Sequence, residues 1–240
     1  MIAAHGRYGM FEMLSGLWYD LLGLVYVHDD IARHEEGGSA LNEKKHANRC
    51  ILKFIESGLG LEDGISRIKT DLHRQFQFSD DGRFSRQSLR ESYAAFEAWL
   101  NKLIVTEAPP DGVEALYFSL YYQDDVIELA VSGARRWSLE DPAWACDTWY
   151  LPHDGQIQLA IFTDIAGAFS EFNHAGLYLA ITVLATFLRE YTERSVISLL
   201  DLNRRTLYLA CGFVDGDLYN VGRLSEEGLQ APRCRFSLFG

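Results

Sequence analysis

Lysine is absent from Leu103 to Gly240, although carboxylates continue through that whole stretch. All five lysines precede it; residues 108–240 carry nine arginines against 18 Asp and Glu, whereas residues 1–107 carry 13 basic against 16 acidic side chains. The formal net charge of −12 is therefore concentrated in one half of the chain. Such a surface repels phosphate backbones and anionic lipid, which argues against nucleic acid or membrane as a partner, and it steers basic proteins toward itself at low salt.

Cysteine is sparse, and Cys50, Cys146, Cys211 and Cys234 include no C-x-x-C spacing. Four scattered cysteines read as buried structural thiols of a reducing compartment rather than a disulfide framework, so a cytoplasmic location is expected. Proline is also scarce, with five residues, and an aromatic content of 13% with 48% hydrophobic residues excludes long disorder. No apolar run reaches the roughly 20 uninterrupted residues of a membrane span. Met10 to Val27 comes closest, but Glu12 and Asp20 interrupt it and His28-Asp29-Asp30 follows where a signal peptide would place small residues, so it reads as a buried helix.

Catalytic signatures are lacking as well. There is no G-x-G-x-x-G, phosphate-binding loop, G-x-S-x-G or H-E-x-x-H. His28 and His34 are six apart, which does not put them on one helix face, and His46, His73, His153 and His174 stand alone. Asp215-Gly216-Asp217 lacks the further ligands of a calcium loop, so neither a metal nor another cofactor is expected. Arg135-Arg136 and Arg204-Arg205 are basic pairs without neighbouring lysines, a poor nucleic-acid footprint. Cys146 has Asp147 beside it, the wrong sign of charge for an activated thiolate.

What is present changes character near the middle of the chain. Before it, apolar residues recur at helical spacing: Leu41, Ile51, Leu52 and Ile55 between Ser39 and a stop at Gly58, then Ile65, Ile68, Leu72 and Phe76 before the turn residues 79–82. A last helix is predicted from about Gln87 to Leu103. The segment from Thr106 to Gly112, with Pro109-Pro110 and Asp111-Gly112, marks a boundary between a helical region 1–107 and an acidic α+β region 108–240, the alternative being one integrated domain. Beyond it the period falls to two. Strands are predicted at Leu116–Tyr122 and Val126–Val131 around a tight turn at Gln123-Asp124-Asp125, and a third at Gln156–Phe162. A long apolar helix follows from Leu177 to Tyr191, then Tyr208–Phe213 and Leu218–Val221 flank Asp215-Gly216 as a closing hairpin. The fold class expected is α+β, a helical N-terminal half followed by an antiparallel sheet packed with one long helix.

Residues 137–152 are the densest cluster, with three tryptophans, a tyrosine and three carboxylates between strands, where a plain connection would be short and polar. Tryptophan and tyrosine dominate binding hot spots, so the segment reads as a recognition loop facing a basic partner, or as tryptophans folded inward under a sheet edge.

The order of pieces in the C-terminal half resembles bacterial immunity proteins encoded beside polymorphic toxins of the contact-dependent inhibition or type VI kind. The features that carry the resemblance are the paired strands from Tyr117 to Val131, then Glu140-Asp141-x-x-Trp144-Ala145-Cys146-Asp147 with Tyr150-x-Pro152, the long helix, and Cys211-Gly212-Phe213-x-Asp215-Gly216-Asp217-x-Tyr219. The resemblance covers about half the chain and implies a cytoplasmic binding protein without catalysis or cofactor, bound to a basic toxin domain. Contact candidates are Asp124, Asp125, Glu140, Asp141, Trp144, Asp147, Trp149, Asp215 and Asp217. Two alternatives stand beside it: an enzyme with a cleft between the two halves using Cys146, His153 or His174, and an oligomeric scaffold joined through the first helix.

Overall fold

The computed structural model describes residues 37–78, 82–169, 173–194, 199–200, 206–214 and 217–232. The helix predicted at Met10–Val27 lies outside them. Residues 46–240 form one compact unit, and the first 45 form another, of which only the start of a helix is described.

Three helices precede the sheet. α1 (Gly37–Ser57) stops where Gly58 takes the left-handed φ of 60° that the sequence anticipated. α2 (Leu61–Phe76) has no side-chain cap at its N-terminus; instead Glu190, from a later helix, accepts from the Leu61 amide at 2.8 Å. α3 (Arg86–Thr106) is capped by Ser85, whose hydroxyl accepts from Ser88 N at 3.0 Å.

β1 (Ala115–Gln123) and β2 (Val126–Ala134) form an antiparallel hairpin. Its two-residue turn has φ of 52° at Asp124 and 59° at Asp125, the primed geometry that matches strand twist and that aspartate tolerates. A 3-10 turn (Pro142–Cys146) leads to the short strands β3 (Thr148–Tyr150) and β4 (Gln156–Ile157), both paired to β2. The strand predicted through Phe162 ends after Ile157, because Ala160 opens α4 (Ala160–Ala168). Ile161, Phe162, Ile165 and Ala166 then share one buried helix face, and Ser92 of α3 accepts from the Ile161 amide at 3.2 Å, so tertiary packing settles an ambiguous apolar run in favour of helix. α5 (His174–Arg194) follows, then β5 (Thr206–Phe213), β6 (Leu218–Ser225) and β7 (Gly228–Gln230).

The fold is α+β, with sheet order β3-β2-β1-β5-β6-β7 and β4 beside β3 on β2. The sheet is mixed rather than wholly antiparallel: β1 and β5 run parallel, Ala115 opposite Tyr208 and Leu120 opposite Phe213. Parallel neighbours need a long crossover, here supplied by the segment that holds α4 and α5.

A single core joins the helices and the sheet across the Pro109-Pro110 boundary, from Ile51 to Leu229. Its centre is α5, apolar on all sides, with Tyr178, Leu184, Phe187, Leu188 and Tyr191 fully buried. Its buried threonines cost little, since Thr182, Thr186 and Thr192 donate back to the carbonyls of Tyr178, Thr182 and Leu188 at 2.7–2.9 Å. Gly64 lets α2 approach closely, for a Cβ there would lie 2.8 Å from Thr186 Cγ2. The second face of the sheet carries small residues, Ala115, Ala134 and Ala210, and is covered by a loop.

Candidate interaction site

Alternation in β1 sends Leu116, Phe118 and Leu120 to the helices and Ala115, Tyr117 and Ser119 to the other face. There Trp144 lies on Ala115, Ala134 and Ala210 and is 1% exposed, flanked by Trp137, Tyr208 and Leu218. Trp137 stacks on Tyr208 with ring centroids 3.8 Å apart and planes within 3°. Small side chains below leave room for a large ring above, which is why this loop folds back over the sheet. Trp144 was among the expected contact residues; its burial makes it the loop's internal anchor instead.

The backbone of the loop is fixed locally. Ser138 Oγ accepts from the amides of Glu140 and Asp141 at 3.2 and 3.0 Å, and Asp141 Oδ1 accepts from Ala143 N at 3.0 Å to start the 3-10 turn. Tyr150, buried on the opposite side of β3 from Trp149, donates its hydroxyl to Glu107 O at 2.6 Å. The Glu107 carboxylate accepts from the amides of His153 and Asp154 at 2.6 and 2.9 Å. Lys102 holds the Asp154 carboxylate at 2.8 Å, and that hydrogen bond, with a further one from His153, lowers the Asp154 pKa below the ordinary carboxylate value. The C-terminal end of α3 therefore ties down the far side of the loop.

What remains outward is apolar and acidic. Trp149 is 38% exposed, Leu139 57% and Leu151 58%, with Glu140, Asp141 and Asp147 exposed among them. Arg136 pairs with Asp147 at 3.5 Å, and the Arg135 guanidinium sits 3.6 Å from the centroid of the Trp149 ring.

The expected contact residues do not form one surface. Ala134 pairs with Thr148 on one side and Ala115 on the other, so the aromatic loop lies at the end of the sheet where β1 begins. Asp124 and Asp125 lie where β1 ends, about 25–30 Å away at roughly 3.3 Å per strand residue. Because β5 runs parallel to β1, Asp217 shares the Asp124 end; Asp215 lies outside the described residues. Asp217 is half-buried and engaged: Asn48 of α1 donates to it at 2.9 Å, while Tyr219 donates to Asn48 at 2.7 Å. Asp125 accepts from Tyr122 OH at 2.9 Å.

The thiols also differ from expectation. Cys211 is buried, which raises its pKa, but Cys146 is exposed and Cys50 half-buried. No hydrogen bond joins Cys146 to His153 or His174 among the described residues; His153 instead meets Asp154 at 3.0 Å. His46, read as isolated, lies 3.7 Å from Cys50 Sγ one helical turn away. That i, i+4 spacing was visible in the sequence. Burial and the Asp71 carboxylate raise the Cys50 pKa, so this pair is a thiol beside an imidazole rather than a nucleophilic thiolate. Asp71 itself accepts from Tyr178 at 2.9 Å and from Arg67 at 2.7 Å, a buried seam between α2 and α5 that burial keeps protonated at the tyrosine.

Among the described residues no group of three or more His, Cys, Asp or Glu is placed to hold a metal, and no helix is long and apolar enough to cross a membrane. Compared with protein-family models, curated proteins and solved structures, the chain matches none.

Proposed function

We propose that this protein is a binding module for another protein, acting through the loop end of its sheet, and more narrowly that it is a cytoplasmic immunity protein that occludes a basic toxin domain. The observation that supports the reading most is Trp149, Leu139 and Leu151 left exposed beside Glu140, Asp141 and Asp147 on a loop fastened beneath by Trp144. Exposed aromatic and aliphatic anchors with a carboxylate surround suit a partner whose apolar pocket is ringed by lysine and arginine. The fastening matters because a loop already held in place loses little conformational entropy on binding. The narrower immunity reading rests on the order of strands, aromatic loop, long helix and acidic hairpin.

The test combines capture and protection. The chain and its Trp149→Ala/Leu151→Ala variant are used as bait in native lysate at low and then high salt. The partner recovered is then expressed in cells with and without this protein. The expected result is one basic domain held by the parent chain, released by salt, lost with the variant, and harmless to cells only when the parent chain is present. Equal capture by both baits would remove the loop end from the function, and capture without protection would remove the immunity role.

A further inference from the structure

Two exposed arginines at the loop end meet no carboxylate among the described residues, Arg135 and Arg223, and of these Arg135 lies on the ring of the exposed Trp149. Arg136 beside it is paired with Asp147, whereas Arg135 meets no carboxylate among the described residues and rests only on Trp149. A guanidinium over an indole face keeps the N–H donors at its edge free, in the planar fork that matches a carboxylate. The platform is held in place: Thr148 and Tyr150 pair with β2 on either side of Trp149, and the Gly112 turn borders the ring, a Cβ there lying 3.7 Å from Cζ3. With its position set before binding, Arg135 would lose little freedom on forming a bidentate contact.

We infer that Arg135, held on Trp149, receives a carboxylate of the partner, so that the partner presents an acidic side chain within its basic surface. The inference rests on the binding role proposed above and adds the partner's chemistry at its centre. It also supplies specificity. An all-basic surface would meet Arg135 with like charge, and an all-acidic one would be repelled by Glu140, Asp141 and Asp147.

The probe is a blocked pentapeptide, Lys-Leu-Glu-Leu-Lys, compared with its Gln counterpart and with inorganic phosphate. Binding is read on the full chain at low salt from the NMR resonances of the Trp149 indole N–H and the Arg135 Nε–H. The expected result is a saturable shift of both resonances with the Glu peptide, binding about tenfold weaker with the Gln peptide, as loss of one charge-assisted hydrogen bond implies. The Glu preference should vanish in Arg135→Gln. Equal binding of the two peptides, no saturable shift from either, or phosphate binding as tightly as the Glu peptide would overturn the inference. Capture of the protein partner separates this outcome from failure of the binding role. If Trp149→Ala/Leu151→Ala abolishes capture while Arg135→Gln leaves it unchanged, the binding face stands and the carboxylate contact falls.

Discussion

Both ends of the sheet carry carboxylates, and they differ in the apolar surface beside them. At the hairpin end, Asp124 and Asp125 satisfy the left-handed turn, Asp125 accepts from Tyr122, and Asp217 is bound to Asn48. At the loop end, Glu140, Asp141 and Asp147 surround exposed Leu139, Trp149 and Leu151. Local engagement does not separate the two sets, since Asp141 caps the 3-10 turn and Asp147 pairs with Arg136, much as Asp125 and Asp217 are bound at the other end. What distinguishes the loop end is the number of large apolar side chains left in water on a fastened framework, Leu139, Trp149 and Leu151, against Tyr121 at the hairpin end.

The largest effect should come from removing that framework. Trp144→Ala would leave a ring-sized void over Ala115, Ala134 and Ala210, with an expected loss of about 3–5 kcal/mol in denaturant unfolding. A loss below about 1 kcal/mol would mean that the loop is not fastened by this residue. Next, Trp149→Ala/Leu151→Ala should weaken partner affinity by at least about 30-fold, the scale of a hot spot, with little change in unfolding midpoint.

Equal neutralisation at the two ends sharpens the contrast. Glu140→Gln/Asp147→Asn should slow association several-fold at low salt, whereas Asp124→Asn/Asp125→Asn, which keeps residues tolerant of the left-handed turn, should slow it by less than about twofold. Stopped-flow association at two salt concentrations measures both; equal slowing would show that net charge alone steers the partner.

The smallest effect concerns the tether between α3 and the loop. Asp154 has a folded-state pKa below its unfolded value, so the contribution of its contact with Lys102 is present above that unfolded value, near pH 4, and is lost as pH falls through the depressed folded value. Amide exchange at His153 and Asp154, corrected for intrinsic rates, should lose protection on that descent while Leu184 and Phe187 in α5 keep theirs. Unchanged protection at both amides would assign their order to Glu107 alone.

Much of the local structure was legible because its causes are local. Gly58 ends α1, the Asp124-Asp125 pair turns the first hairpin, and helical spacing of Ile65, Ile68 and Leu72 marks α2. The parallel pairing of β1 with β5 was not legible, since nothing within either strand records its neighbour's direction. Gln156 to Phe162 alternates well enough for a strand, yet its second half is helix because Ser92 and the core receive it that way. Trp144 and Trp149 stand five residues apart in one aromatic cluster, one inward and one outward. What separates them is the patch of alanines from three different strands beneath Trp144, which no reading along the chain assembles. The site was therefore visible as a segment, while the division of labour within it depends on long-range packing.

We propose that the loop end of the sheet binds the partner and the hairpin end does not. Site-specific photo-crosslinking tests it most directly, with the photoreactive group placed at Leu139 in one protein and at Asp124 in another, both incubated with the same native lysate. The account predicts one discrete adduct from position 139, and none from position 124. An adduct from position 124 alone, or the same adduct from both, would contradict it.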